Sequence, residues 1–187
     1  MRYEEGDKIQ RFNHFYPSTV VLIGSVGKDG KLNVMPSAWH TALSRDPLLY
    51  GVSVSPKRHS HSLITETGEF TLNFVGAKMA ETIRKTGGVS GREVDKLKAF
   101  DIAYSPGKAV RAPVIAGAYC TYECRLAGMW PAGDHDLVIG EVLGVHTDED
   151  AFRDDGVLDL LRTEIDLYMG AYTYATLDRS TRTIVRK

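Results

Sequence analysis

The sequence predicts a mainly β domain, an antiparallel barrel with flanking helices, and three observations carry that prediction. Segments rich in β-branched and aromatic residues recur along the chain, turn signals containing Gly or Pro separate them at short intervals, and helical periodicity is confined to short stretches between them. Six or so strands of this kind with a few short helices favour an antiparallel barrel over a parallel α/β sheet, which needs a long crossover after each strand.

Residues 1–16 are polar and aromatic without a clean period and read as an arm lying on the body. The run from Thr19 to Val26 is rich in β-branched residues, and Asp29-Gly30 is a hairpin signal, so 32–38 is expected to return antiparallel to it. After a turn at 44–47, residues 48–55 form a third strand that stops where Pro56 removes a donor. A short helix is expected over 60–67, with Ser60 as N-cap and Gly68 as its end. Residues 69–75 alternate as a strand with Phe70, Leu72 and Phe74 on one face.

Helical stripes follow over 77–86, through Met79, Ala80 and Ile83, and over 93–100, through Val94, Leu97 and Phe100, with the glycine loop 87–91 breaking the helix between them. Two longer strands, 118–129 and 136–147, read as a hairpin. A short helix over 156–161 and a tyrosine-dense stretch over 166–174 belong to a C-terminal extension, 156–187. With no internal repeat or linker, residues 1–187 are expected to form a single domain.

Composition limits the function. Twenty-three basic and 24 acidic residues give a net charge of −1, so broad electrostatic binding to nucleic acid or membrane is not expected and any basic feature is local. The first residues lack the apolar core of a signal peptide and no apolar run is long enough to span a bilayer, so a cytoplasmic protein is expected. Cys120 and Cys124 lie four apart in a strand, roughly 13 Å from one another, beyond disulfide reach. Neither they nor the histidines show the spacing of a metal site.

The stretch from Asn33 to Ser62 is where chemistry gathers. A strand carrying Ser37, Trp39 and Thr41 on one face offers hydrogen bonds to a flat heteroaromatic ligand, and the basic turn Lys57-Arg58-His59-Ser60 suits that ligand's phosphate. The residues alone do not name the ligand, since a phosphate plus a flat polar ring is equally compatible with pyridoxal phosphate. They also leave Trp39 readable as a core or interface aromatic.

Asn33-x-x-Pro36-Ser37-x-Trp39, Asp46-Pro47, Ser53-Val54-Ser55-Pro56-x-Arg58-His59-Ser60, Gly68-Glu69-Phe70-x-x-Asn73, Ser90-Gly91-Arg92-x-x-Asp95-Lys96 and Gly133-Asp134-His135-x-x-x-x-Gly140-Glu141-Val142 occur in this order. Together they resemble the flavin reductase-like family of FMN-binding split barrels, in its flavoredoxin and ferric reductase-like branch, over about residues 17–175. The resemblance implies a six-stranded antiparallel split barrel of Greek-key type, a homodimer, and FMN held noncovalently near the subunit interface. It places Arg58, His59 and Ser60 at the phosphate, Lys96 at the phosphate or ribityl end, and Asn33, Pro36, Ser37, Ala38, Trp39 and Thr41 along the ribityl chain and ring. Ser53 and Ser55 would add backbone donors.

His135 and Tyr168 match positions close to the flavin, with Tyr168 contributed across the subunit interface. His135 is also a possible proton donor, although on the residues alone it reads equally as a turn histidine bonded to Asp134 or Asp136. The implied activity is transfer of electrons from NAD(P)H through FMN to free flavin, a ferric chelate or a protein. An FMN electron carrier without direct NAD(P)H oxidation is the alternative. No dinucleotide fingerprint is present, because Gly24-x-x-Gly27-x-x-Gly30 has the wrong spacing and sits in a hairpin.

Overall fold

The computed structural model describes residues 3, 16–171 and 173–177. The expected N-terminal arm lies outside these apart from Tyr3 and Tyr16, as do the last ten residues of the C-terminal extension. Among the described residues, eleven strands and three α-helices follow in order: β1 (Val21–Val26), β2 (Leu32–Ser37), β3 (His40–Arg45), β4 (Leu48–Val54), α1 (His59–Thr67), β5 (Glu69–Val75), α2 (Ala80–Gly87), α3 (Lys96–Ala99), β6 (Tyr104–Pro106), β7 (Pro113–Ile115), β8 (Ala118–Ala132), β9 (His135–Thr147), β10 (Asp166–Gly170) and β11 (Thr173–Thr176). Among the described residues no helix is long and apolar enough to cross a membrane.

Seven strands form one antiparallel sheet in the order β2-β1-β5-β8-β9-β4-β3. The edge strands β2 and β3 are consecutive in the chain, joined only by Ala38 and Trp39, so the sheet curls until its two edges approach. The Ser53 amide of β4 donates to the Trp39 carbonyl at 2.9 Å across that junction.

The junction corrects the expectation of one strand carrying Ser37, Trp39 and Thr41 on a single face. The Ser37 hydroxyl accepts from the Trp39 amide at 3.2 Å, a local side-chain bond that competes with the ladder and bends the chain. Thr41 is thereby delivered to β3, where it is exposed.

β1 is buried along its whole length because both of its faces are covered. Val21 and Ile23 point into the barrel with Val52, Val54, Phe70, Leu72, Cys124 and Val138. Leu22 faces the other way, onto Val34, Ile83, Leu97 and Ile115 under the helices and β7. The same doubling acts on β5, where Phe70 and Leu72 are buried on one face and Thr71 and Asn73 on the other. Asn73 is satisfied there by the Leu22 carbonyl and by donors from Ile115 and Thr121. Both cysteines are buried and unbridged.

Several local expectations change. α1 starts one residue early, with Arg58 as an N-cap that makes no side-chain bond, because the Ser60 hydroxyl is engaged by Asn33 from β2. Gly68 ends α1 in the left-handed region, φ 72°, as its role requires. Residues 77–79 form a 3-10 turn ahead of α2.

The helix expected over 93–100 shrinks to α3, since the amides of Glu93 and Val94 both donate to the Ser90 carbonyl and Asp95 caps the Lys98 amide. No helix forms over 156–161. Asp155 and Asp159 accept the amides of Val157 and Leu161, and these Asx bonds hold the segment in turns. Short strands β6 and β7 add a small hairpin, and β10 and β11 pair Tyr168 opposite Tyr174.

Candidate functional site

One cavity of about 550 Å³ opens between β2, the β4–α1 turn, α2 with the loop after it, and the β10–β11 hairpin. Its size suits a nucleotide-sized ligand. Thirteen of the fourteen residues expected to contact the ligand line it, and Thr41 does not.

The floor is Asn33, Pro36 and Ser37 of β2 with Ala38 and Trp39 at the bend. Asn33 is 3% exposed. Its side-chain amide donates to Ser60 Oγ at 2.8 Å and to Ser25 Oγ at 3.4 Å, tying the floor to the first turn of α1. Its Oδ1 is buried without a hydrogen-bond partner among the described residues. Gly91 passes so close that a Cβ there would lie 2.0 Å from that oxygen, and a Cβ on Gly87 would lie 3.1 Å from the Pro36 ring. The loop therefore closes onto the floor because Gly87 and Gly91, at the points of approach, carry no side chain.

Ser53 and Ser55 form the adjoining wall. The Ser53 amide is already committed to Trp39, so it is not a free donor, and the Ser55 carbonyl accepts from the Arg58 amide at 2.9 Å.

The electrostatics of the cavity are one-sided. Lys57, Arg58, Arg84 and Lys96 line it, and none of its lining residues is Asp or Glu. Arg84 is answered outside the cavity by the Glu81 carboxylate at 2.8 and 2.9 Å. Lys96 is different: it is 4% exposed, and its Nζ donates to the carbonyls of Val34 at 3.0 Å and Thr86 at 2.7 Å. No carboxylate among the described residues pairs with it.

Burial, reinforced by the Arg58 charge, pushes the Lys96 pKa down to about 8. Two of its three N–H donors are taken, and one remains for a ligand. His59, at the first position of α1, is also held below its ordinary pKa by burial and by the charges of Arg92 and Lys96. The Arg58 amide donates to the Ser55 carbonyl and the His61 amide to the Arg58 carbonyl, while the amides of His59 and Ser60 lie at the positive end of a nine-residue helix. An anionic group fits this end of the cavity.

The other end is aromatic. The Trp39 and His135 rings lie 4.9 Å apart at 43°, and Trp39 Nε1 donates to Tyr16 Oη at 3.3 Å. Tyr168 packs edge-on against Tyr16 at 4.9 Å and beside Tyr174 at 5.3 Å, all within one chain. His135 Nδ1 is 2.8 Å from Asp134 Oδ1, so the turn-histidine reading holds and leaves Nε2 as its second ring nitrogen. Sequence reasoning passed over Tyr16 and Tyr174 as site residues. The hairpin register that sets Tyr174 across from Tyr168 is the signal that finds the second of these.

Residues 12–175 match the flavin reductase like domain, and the chain belongs to that family. It is 34% identical over 146 residues to an uncharacterized protein of Archaeoglobus fulgidus, covering 78% of this chain and 81% of that one. Among solved structures, an FMN-binding protein from Thermus thermophilus with bound 1-cyclohex-2-enone superposes with a TM-score of 0.86 at 31% identity, covering 98% of this chain and 99% of that one. A flavoredoxin from Methanosarcina acetivorans gives 0.83 at 26% identity, covering 97% and 96%. The curled sheet is thus the split barrel of flavin reductase-like proteins, with a seven-stranded main sheet in place of the six strands expected.

Proposed function

We propose that the cavity binds FMN and that the protein is an FMN-dependent oxidoreductase taking electrons from NAD(P)H and delivering them to free flavin, a ferric chelate or a protein. The observation that carries the reading is Lys96, a buried ammonium that no carboxylate among the described residues pairs with, beside Arg58 at one end of a cavity whose other end is aromatic. The FMN-binding Thermus thermophilus relative supports the same ligand.

The residues fit that cofactor. Lys96, Arg58 and the first turn of α1 suit a phosphate dianion, each charge-assisted bond contributing about 1.5–3 kcal/mol. Asn33 on the floor and Ser55 on the adjoining wall line the stretch between the two ends, where a polyol chain would run. Trp39, His135 and Tyr168 form the walls for a flat ring.

Bound FMN supplies the electron-accepting and electron-donating chemistry. The chain supplies position, exclusion of water and charge; His135, oriented through Nδ1 by Asp134, can hold a proton at Nε2. A homodimer with FMN near its interface, in a cytoplasmic setting, is part of the same proposal, and light scattering of the FMN-loaded protein tests the dimer.

The test of function is the visible spectrum of the purified protein, followed by anaerobic mixing with NADH or NADPH. A flavin band that bleaches rapidly is expected. A band that neither nucleotide bleaches assigns the protein to FMN electron carriers, and no band after adding FMN sinks the flavin reading in favour of another phosphorylated ring such as pyridoxal phosphate.

A further inference from the structure

His61 and Asp136 lie outside the cavity lining, yet they join its two ends. His61 follows Arg58, His59 and Ser60 on α1, and Asp136 follows His135 on β9. His61 Nε2 lies 2.6 Å from Asp136 Oδ2 across 75 residues of sequence, and the two side chains are only 14% and 17% exposed. α1 packs mainly against β1 and β2 and its Ile64 shares the barrel core with Val138 of β9, and the His61–Asp136 pair adds a side-chain tie between α1 and the first residues of β9. Alternation along β9 turns Asp136 to the opposite face from His135, whose ring meets Trp39.

We propose that His61 and Asp136 are a positioning pair that fixes the separation between the anion end and the aromatic end of the cavity. The inference rests on the FMN reading above. A ligand engaging both ends at once gains from a fixed separation, because the ordering it would otherwise impose is already in place. A ligand that occupies one end gains nothing from it. The pair therefore favours the phosphorylated flavin over riboflavin, although neither residue lines the site.

Three probes separate the effects: FMN spans both ends, riboflavin takes only the aromatic end, and inorganic phosphate takes only the anion end. With His61→Ala and with Asp136→Ala, FMN affinity is expected to fall about tenfold, while riboflavin and phosphate affinities stay within about twofold of the native protein. His61→Gln, which can still donate to the carboxylate, should restore most of the FMN affinity.

FMN affinity unchanged in both alanine variants overturns the proposal. So does an equal loss for all three probes accompanied by a lowered melting temperature, which marks a purely structural pair. Failure of the native protein itself to bind FMN rejects the flavin reading instead, a separate result read from the unmutated chain.

Discussion

The side chain of Asn33 donates a 2.8 Å hydrogen bond to the hydroxyl of Ser60, joining the floor strand to the first turn of α1. Both groups are almost fully buried, so the bond is worth more as a constraint than as energy: either partner alone would leave a buried polar atom unsatisfied. It also explains why Ser60 does not cap its own helix. The cavity's shape at this point depends on a third residue, Gly91, lying against the far side of the same amide.

Gly91→Ala is the sharpest test of that packing. Its new Cβ would meet Asn33 Oδ1 at 2.0 Å and His59 Cδ2 at 3.0 Å, so the glycine loop must lift or Asn33 must leave Ser60. Overpacking of this kind costs about 1–3 kcal/mol, a fall in melting temperature of roughly 2–12 °C for a domain of this size. FMN affinity should fall with it. Gly144→Ala, where a Cβ meets nothing nearer than 3.9 Å, is the control expected to leave thermal unfolding unchanged.

Lys96 gives two pH dependences of opposite sign. Its pKa is lowered from 10.5 to about 8, first by burial and then by Arg58. FMN presents a dianion above about pH 6, and the protonated amine binds it, so FMN affinity should be level up to about pH 8 and decline beyond. The ligand-free protein behaves oppositely: between about pH 8 and 10.5 the unfolded chain binds the proton that the folded chain has lost, so this group's contribution to stability rises with pH across that window. Fluorescence titrations with FMN and denaturant titrations without it, both from pH 6 to 10, read the two trends. Lys96→Met should remove the alkaline decline in affinity and weaken binding at pH 7 by about ten- to a hundredfold.

The strands were legible where one pattern dominated. β1, β2, β4, β5 and the β8–β9 hairpin follow from β-branched runs, Asp29-Gly30 and alternation. The break at Ala38 and Trp39 was hidden, because it comes from the Ser37 hydroxyl capturing an amide, a choice that periodicity does not record. Thr41 was misplaced as a lining residue for the same reason.

Helix length failed where Asp or Ser groups took the first amides, at Ser90, Asp95, Asp155 and Asp159. Lys96 is the reverse case. The chain shows only a lysine on a short helix, and its burial depends on β2 and the end of α2 arriving with their carbonyls from distant sequence.

Glu123 tests the wall behind β8. Its carboxylate is 1% exposed and accepts from the amides of Lys108, Ala109 and Val110 at 2.9, 2.6 and 2.9 Å, with His146 Nε2 at 2.5 Å. Burial alone would raise its pKa, but those amides and the His146 ring outweigh it and hold it at about 2. Its folded pKa lies below the ordinary 4.5, so the stability it confers is complete above about pH 4.5 and is lost as pH falls toward 2. Glu123→Gln should cost about 3 kcal/mol at pH 7 and flatten the acid limb of a stability profile. A limb of unchanged steepness would show that other carboxylates govern acid unfolding.

Arg58 isolates the charge of the anion end from its packing. The side chain is exposed and makes no ion pair among the described residues, so Arg58→Ala should leave the melting temperature of the ligand-free protein within about a degree of native. FMN affinity at pH 7 should nevertheless drop on the order of tenfold, through one lost charge-assisted contact, while riboflavin, which lacks the phosphate, is held equally well. Arg58 is also one of the two causes of the depressed Lys96 pKa, so its removal should move the alkaline decline in FMN affinity upward from about pH 8. A decline that stays at the same pH would mean that burial alone sets the Lys96 proton, and equal losses for FMN and riboflavin would move Arg58 away from the phosphate.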